Sequence, residues 1–298
     1  MVRQYKIHTN LDGTDDKIWD VTNGKVRFYQ PSNLGLQSTN NIWQSNGVGV
    51  MGTRSITQPQ IEFKLETFGE SLSENYQLMK DFVNDILNKK FVTLEYQTEI
   101  FQVYADLALA DVTKTEGYGK NGTFSEKITF DIITKWYTYE NLTFDMIRNG
   151  KVIAGKSKIY GGIAPGDYKY IKGTSYTYYG ESNIERLSRW DIKDEIFSFT
   201  GILYPKLPKT PTGVRFLDDI GNEYTAIVFK TEESQDYILI NTDVNDETYQ
   251  GWRGTTALNL FPVMDFERYR TRIIEKGQME LINLSKAEFK VKRKADFV

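Results

Sequence analysis

Alternation of apolar and polar residues recurs along almost the whole chain, whereas the spacing of an amphipathic helix occurs in one segment. In QIEFKLE, for example, Ile61, Phe63 and Leu65 alternate with charged residues, as in a strand with one buried face. Val, Ile, Thr and Tyr, which favour the pleated surface of a sheet, recur throughout. Strand-like and helix-like segments do not alternate, so a parallel α/β sheet is not expected. The sequence therefore predicts a mainly β fold.

The helical segment is SLSENYQLMKDFVNDILNKK, which predicts a helix over residues 71–90. Ser71 and Glu74 have the spacing of a capping box, which marks a helix start. The predicted apolar face, which Phe82 and Leu87 widen, consists of Leu72, Tyr76, Met79, Val83 and Ile86. The stripe is wider than a lone surface helix needs to cover one sheet. Packing in the core and an edge that faces a partner both remain open.

The chain contains no cysteine and a single histidine, His8, among its 298 residues. Disulfides, thiol nucleophiles and cysteine-ligated metals are therefore excluded. A serine nucleophile that needs a histidine base would depend on His8, and no nucleophile elbow is present. We predict a solvated or capping role for His8 and no catalytic residue.

Charge and hydropathy narrow the possible partners further. Lys and Arg number 37 against 40 Asp and Glu, a formal net charge of −3, so there is no overall basic field of the kind that dominates nucleic-acid binding. The N-terminus lacks an apolar signal region, and no stretch approaches the roughly 20 apolar residues of a membrane span. We expect synthesis in a cytoplasm and no membrane partner.

The segment NGVGVMG has the glycine spacing of a dinucleotide-binding loop at Gly47, Gly49 and Gly52. Such a loop needs a strand before the first glycine and a helix that opens at the third, because the helix N-terminus holds the phosphates. A polar run precedes these glycines and a strand-like segment follows them. We therefore expect no nucleotide cofactor and interpret residues 46–52 as a flexible, glycine-rich loop that leads into a strand.

A second motif matches a calcium-binding loop at its first positions but not at later ones. Asn241, Asp243 and Asn245 occupy the first, third and fifth places of a calcium-binding loop. The sixth place, which should be glycine, is Asp246, and the twelfth, which should be glutamate, is Trp252. We predict a solvated turn and no metal.

The strand pattern predicts two domains, residues 1–137 and residues 138–298. Two strand-like segments around the turn TEGYGKNG predict a long hairpin over residues 101–137. From residue 196 onward, short strand-like segments separated by turns predict a β-sandwich. In the last of them, AEFKVKRKADFV, only Arg293 breaks the apolar side. Its lysine-rich face is typical of a solvated sheet edge, and a basic face along a nucleic-acid channel is the alternative.

Residues 144–190 differ in composition from the segments around them, because they are rich in tyrosine and lysine. Tyrosine is frequent at interfaces because a rigid amphipathic ring buries much area at low entropic cost. A cross-strand ladder within one small sheet and a partner interface are equally compatible with this pattern. The candidate partner-binding residues are Tyr160, Tyr168, Tyr170, Tyr176, Tyr178, Tyr179, Lys156 and Lys158.

Several of these segments resemble one family. The strand QIEFKLETFGE, the capped helix, KFVTLEY and VTKTEGYGKNGTFSEKITFDIITKWYTYE are similar to the N-terminal domain of siphophage distal tail proteins. The family has a Lys-Thr-Glu turn before a strand that ends in Trp-Tyr, matched here by residues 114–116, Trp136 and Tyr137. ILYPKLPKTP, YILINTD and IIEKGQMELINLS resemble its galectin-like C-terminal domain. Within this family, the chain resembles the distal tail proteins of lactococcal-type phage baseplates.

The resemblance implies a structural subunit of the virion, at the tip of a phage tail. It implies an N-terminal β domain with one α-helix, followed by a galectin-like β-sandwich that carries an arm-like insertion around residues 144–190. Six copies would form a ring that joins the tail tube protein to the tail-tip protein and anchors the receptor-binding protein through the arm. DNA would pass through the ring without specific binding, and the device would assemble in the host cytoplasm.

A carbohydrate-binding or carbohydrate-active module, acting on host cell-wall glycans, is the alternative function. The sugar-binding residues of galectins, a His and an Asn-Pro-Arg group near a Trp, are not matched, although Trp190 and Trp252 are aromatic candidates that we expect in the core. A glycosidase would need two converging acids. The adjacent pairs at residues 218–219 and 232–233 do not converge, because neighbours in a strand point to opposite faces.

Overall fold

A computed structural model describes residues 3–13, 15–35, 37–57, 60–114, 122–144, 147–148, 151–152, 189–244 and 246–295. The chain divides into two compact units, Met1–Thr138 with Ala295–Val298, and Tyr139–Lys294. Strands dominate both units, and the described residues contain one α-helix. The predicted mainly β fold is therefore confirmed.

The first unit contains one α-helix and the strands of an antiparallel sheet. In chain order its elements are β1 (Gln4–His8), β2 (Ile18–Asp20), β3 (Val26–Ser32), β4 (Gln37–Ser45), β5 (Val48–Thr57), β6 (Gln60–Thr67), α1 (Leu72–Leu87), β7 (Val92–Gln97), β8 (Gln102–Thr113), β9 (Ser125–Ile132) and the start of β10 (Tyr137–Phe144).

The main sheet of this unit has the strand order β2-β1-β7-β8-β9-β6-β3. It curls so that β1 faces β6, although three strands lie between them in the order, and the rings of Tyr5 and Phe63 are 5.5 Å apart. Ile61, Phe63 and Leu65 are buried, so the alternation in β6 was interpreted correctly. The curled sheet encloses the core of the first unit.

The helix is confirmed but is shorter than predicted. The Oγ atom of Ser71 accepts from the backbone N–H of Glu74 at 3.2 Å, so Ser71 is the N-cap. The carboxylate of Glu74 accepts from the N–H of Glu70, not from that of Ser71, so the capping box is not reciprocal. The helix ends at Leu87 rather than residue 90.

The buried face of α1 is rotated from the predicted one. Phe82 is fully buried, with the rings of Trp19 and Phe28 at 5.2 and 5.8 Å. Leu72 and Tyr76, at one edge of the predicted apolar face, are 46% and 58% exposed. The sequence left open whether this stripe packs in the core or faces a partner, because helical spacing identifies an apolar stripe but not which edge of it meets the sheet.

The predicted hairpin over residues 101–137 is confirmed as the antiparallel pair β8 and β9, but β9 ends at Ile132. The Trp-Tyr pair lies beyond it. Trp136 is buried in the core of the first unit, and the hydroxyl of Tyr137 donates to Asp106 Oδ1 at 2.7 Å. The hydroxyl of Thr93 donates to the same oxygen at 2.7 Å, so this buried carboxylate has two hydroxyl partners.

In the second unit, β10 is followed by β11 (Ile147–Arg148), β12 (Lys151–Val152), β13 (Arg189–Ile192), β14 (Ile196–Pro205), β15 (Thr212–Leu217), β16 (Glu223–Phe229), β17 (Tyr237–Asn241), β18 (Thr248–Arg253), β19 (Thr256–Asn259), a 3₁₀ turn (Phe261–Val263), β20 (Gly277–Ile282) and β21 (Leu284–Lys294).

Two sheets of this unit enclose one apolar core. One sheet has the order β10-β21-β14-β17-β18-β19 and the other β13-β20-β15-β16. Phe199 on the first sheet and Phe216 on the second meet in the core with ring centroids 5.9 Å apart. The unit is therefore a β-sandwich. The strand β18 was missed, because its residues fall within the segment that we interpreted as a solvated turn.

Candidate functional site

Residues 37–57 form a β-hairpin that lies outside the apolar cores of both units. Strands β4 and β5 pair antiparallel with each other and with no other described strand. The turn consists of Asn46 and Gly47, with φ values of 51° and 79°, as a two-residue type I′ turn requires. The prediction of a flexible loop over residues 46–52 was wrong, because the glycine spacing belongs to a hairpin turn and the strand after it.

The hairpin exposes large apolar side chains on both of its faces. Trp43 and Val50 are opposite each other and are 69% and 63% exposed, with Val48 at 66% on the same face. Ile42 and Met51 are the pair on the other face and are also exposed. An isolated two-stranded hairpin is marginally stable in water, so this element is expected to pack against a partner.

A glycine is needed at position 52 because neighbouring atoms approach its backbone closely. A Cβ atom at this position would lie 3.2 Å from the carbonyl oxygen of Asn41 and 3.4 Å from Trp43 Nε1. The glycine therefore lets the indole of Trp43 lie against the neighbouring strand. Sequence reasoning missed the apolar residues of the hairpin, although Asn46-Gly47 was an available hairpin signal.

His8 is buried, so the predicted solvated or capping role was wrong. Its Nδ1 lies 2.6 Å from Asp16 Oδ2 and its Nε2 lies 2.8 Å from Glu95 Oε2. Carboxylates accept hydrogen bonds, so this geometry favours an imidazolium that donates from both ring nitrogens. Lys6 Nζ, 2.9 Å from Glu95 Oε1, completes the cluster.

The pKa values of this cluster shift in the directions that its hydrogen bonds dictate. Burial lowers the pKa of His8, but the hydrogen bonds and charges of Glu95 and Asp16 outweigh it, so the pKa is raised above 6.5. The hydrogen bond from His8 and that from Lys6 lower the pKa of Glu95 to about 2, against the effect of burial. The cluster therefore holds charged partners in place and offers no uncommitted base for catalysis.

In the segment that resembles a calcium loop, the carboxylate of Asp243 pairs with the ammonium group of a lysine. Lys292 is buried, and its Nζ lies 2.8 Å from Asp243 Oδ2. The side-chain oxygen of Asn241 accepts from the backbone N–H of Asp243 at 3.0 Å. The prediction that Lys292 lies on a solvated face was wrong, because the carboxylate of Asp243 stabilises its burial. Arg293 pairs with Glu140 and Asp194.

The residues that would support a carbohydrate-active enzyme do not converge. Asp218 caps a turn by accepting from the backbone N–H groups of Ile220 and Asn222, and these hydrogen bonds lower its pKa. The second acidic pair, residues 232–233, is exposed in a bend. Trp190 packs against the core as expected, whereas Trp252 stacks on Tyr237 outside it, so the prediction for Trp252 was wrong.

The predicted partner-binding tyrosines and lysines, from Lys156 to Tyr179, lie outside the described residues. No helix in the described part of the chain is long and apolar enough to cross a membrane. Among the same residues, no cluster of three or more His, Asp or Glu side chains could hold a metal ion.

Two family models together match almost the whole chain. The model "Distal tail protein, N-terminal domain" matches residues 4–133, and the model "Dit, C-terminal domain" matches residues 135–298. The chain is 94% identical to a distal tail protein of Lactococcus phage p2 and 91% identical to one of Lactococcus phage SK1. Each of these similarities spans 298 residues, the full length of both chains.

The chain is also similar to chains in solved phage structures. The chain is 92% identical to a chain in a structure of the phage P2 baseplate in its activated conformation with Ca, with a TM-score of 0.79 and full coverage of both chains. A crystal structure of the SPP1 Dit protein is 11% identical, covers 98% of this chain and 99% of that one, and has a TM-score of 0.52. The latter similarity concerns the fold alone.

Proposed function

The chain belongs to the family of phage distal tail proteins, and we propose that it is a structural hub subunit at the distal end of a phage tail. Full-length similarity to relatives that bear this name, and to a chain in a solved baseplate, supports the proposal. A hub protein acts through its interfaces, not through chemistry on a substrate. Its place of action is the virion, after assembly in the host cytoplasm.

The observation that carries the proposal is the exposed hairpin of β4 and β5. In the part of the chain that the structure describes, no core contains its apolar side chains, Ile42, Trp43, Val48, Val50 and Met51. Burial of such side chains would contribute roughly 25 cal/mol for each Å² removed from water. We infer that the hairpin binds a neighbouring copy, so that each subunit is joined to the next.

Contacts of this kind are heterologous, because the hairpin of one subunit would bind a different surface of the next. Heterologous contacts close into a ring when the rotation between subunits permits it. We propose a ring of six subunits around a channel for DNA, which passes without specific binding. The ring would join the tail tube protein to the tail-tip protein.

Residues 144–190 are the proposed arm that anchors the receptor-binding protein. Their tyrosines would supply rigid contact area, and Lys156 and Lys158 would pair with acidic groups of the partner. We also propose that the β-sandwich that carries the arm is galectin-like. Changing Tyr168 and Tyr170 to Ala is expected to abolish co-purification of the receptor-binding protein and to leave the ring intact.

The ring is tested by native mass spectrometry on the full chain and on a double variant, Trp43→Ser with Val50→Ser. The unchanged chain is expected to give the mass of six copies, and the double variant the mass of one. Gln44→Ala changes an exposed residue between them, so it serves as the matched control and should keep the ring. Circular dichroism and thermal unfolding should show that both variants are folded.

A stable monomer of the unchanged chain, alone and with its tail partners, would overturn the ring. A ring that persists in the double variant would leave the ring standing and remove the hairpin from its interface.

A further inference from the structure

The outward face of one sheet in the second unit contains a shallow trough of about 550 Å³. It crosses β10, β21, β14, β17 and β18. On β14, Phe199, Gly201 and Leu203 face the core, so the residues between them face outward. The trough is lined on this outward side by Asn141, Thr143, Thr200, Leu239, Thr248 and Glu288.

Several polar side chains in the trough are uncommitted. Within the described part of the chain, the side chains of Asn141, Thr143 and Thr200 make no hydrogen bond. Gln250, in register with Leu239 on the neighbouring strand, is uncommitted in the same way and lines a second hollow that shares Thr248 with the trough. Amide and hydroxyl groups of this kind donate and accept, which matches the hydroxyl groups of a sugar.

A row of aromatic rings borders this polar surface. The row consists of Tyr204 on β14, Tyr237 on β17 and Trp252 on β18. Each ring lies on the same face as a residue of the trough or the hollow, two positions along its strand and about 7 Å away, and these residues are Ile202, Leu239 and Gln250. The rings of Tyr237 and Trp252 are 5.9 Å apart and nearly parallel, at 11°. Ala257, in register with Trp252 on the next strand, is small and exposed. Aromatic rings beside amides and hydroxyls suit a ligand with apolar C–H faces and many hydroxyls.

The charged side chains of the trough already have partners within the chain. Lys286 and Glu288 form an ion pair of 2.5 Å, and Lys290 Nζ lies 3.9 Å from the centre of the Tyr139 ring. An anionic ligand would have to displace these partners, whereas an uncharged one would not. The surface therefore favours a neutral ligand.

We propose that this outward face binds a neutral oligosaccharide chain. Asn141, Thr143, Thr200 and Gln250 would exchange hydrogen bonds with its hydroxyls, and the aromatic row would contact the C–H faces of its sugar rings. No bond is broken, because the surface provides no pair of converging acids across a cleft. The proposal adds a binding activity to the hub and does not depend on the ring.

The test is isothermal titration of the full chain with short neutral oligosaccharides of hexoses, deoxyhexoses and N-acetylhexosamines. We expect saturable binding of at least one series, with a change in tryptophan fluorescence. Asn141→Ala and Thr200→Val should each lower the affinity by about threefold to tenfold, the effect of one lost hydrogen bond. Trp252→Ala should lower it by more, and Trp252→Phe, which keeps a ring, should restore part of the loss.

Gln102→Ala, which changes an exposed and uncommitted glutamine on the first unit, is the matched control and should leave the affinity unchanged. Native mass should be the same for all variants, which separates this test from that of the ring. Failure of the folded, unchanged chain to bind any neutral series would overturn the proposal. So would binding confined to a phosphate-bearing polymer and lost at high salt, because that would be charge recognition.

Discussion

Lys292 and Asp243 form an ion pair inside the second unit, 49 residues apart in sequence, with both residues less than a tenth exposed. Lys292 lies on the outward side of β21, and Asp243 follows the end of β17. The pair fixes the segment after β17 onto the sheet, where sequence analysis had expected a solvated turn.

Removal of the lysine should therefore be costly. Lys292→Ala leaves the carboxylate of Asp243 buried without its cation, and the free energy of unfolding should fall by about 3–5 kcal/mol. Chemical denaturation followed by circular dichroism measures the change. Lys294→Ala, at an exposed lysine on the same strand, is the control and should change stability by less than about 0.5 kcal/mol. Equal effects of the two variants would contradict the role of the pair.

The cluster of His8, Asp16 and Glu95 should make stability depend on pH at both ends of the range. His8 has a raised pKa, so its contribution is complete below pH 6.5 and is lost as the pH rises through the raised value. Glu95 has a pKa of about 2, so its contribution is present above its ordinary value of 4.5 and is lost as the pH falls towards 2. Between these limits the cluster should stabilise the first unit most.

His8 is the only histidine, so its titration can be followed directly by NMR of the imidazole C–H groups. We expect a midpoint above 6.5 in the folded protein. Glu95→Gln removes one carboxylate partner and should lower both this midpoint and, by about 1–3 kcal/mol, the free energy of unfolding at neutral pH. A midpoint at or below 6.5 in the unchanged chain would show that burial outweighs the hydrogen bonds.

The helix offers a matched pair of aromatic residues. Phe82 is fully buried between Trp19 and Phe28, and Phe82→Ala should destabilise the protein by about 3–5 kcal/mol. Tyr76 is 58% exposed, and Tyr76→Ala should cost less than about 1 kcal/mol. Thermal unfolding of the two variants distinguishes them. A larger effect of Tyr76→Ala than of Phe82→Ala would show that Tyr76 contributes more to the core than Phe82 does.

Apolar–polar alternation and helix-capping residues were sufficient to predict the elements whose sequence pattern reflects burial in the core of their own unit. The strand β14 was predicted over its full range, and β6 buries every second residue as expected. The start of α1 at Ser71 follows from a local hydrogen bond, which a sequence pattern can indicate. Periodicity could not show which edge of the helix meets the sheet, because that depends on where β3 lies.

The features that sequence analysis missed depend on residues distant in sequence or on a partner. His8 is buried because Glu95, 87 residues away, supplies a carboxylate that no local pattern reveals. The hairpin of β4 and β5 has apolar residues on both faces, so it does not alternate as a strand on a core does. Its turn residues, Asn46 and Gly47, carried the available signal.

That turn allows the hairpin to be perturbed separately from the two cores. Gly47 has φ of 79° and its Cβ position is open, so Gly47→Val meets no clash but strains the backbone by roughly 1–2 kcal/mol. In the monomeric Trp43→Ser, Val50→Ser background, where no intersubunit contact covers the hairpin, Gly47→Val should leave the melting temperature unchanged and raise protease cleavage within residues 37–57, because the hairpin pairs with no other described strand. Gly35→Val, at a glycine with open space and no positive φ, is the control and should leave cleavage unaltered. A lower melting temperature for Gly47→Val in that background would mean that the hairpin contributes to the fold of its own chain and would contradict the prediction.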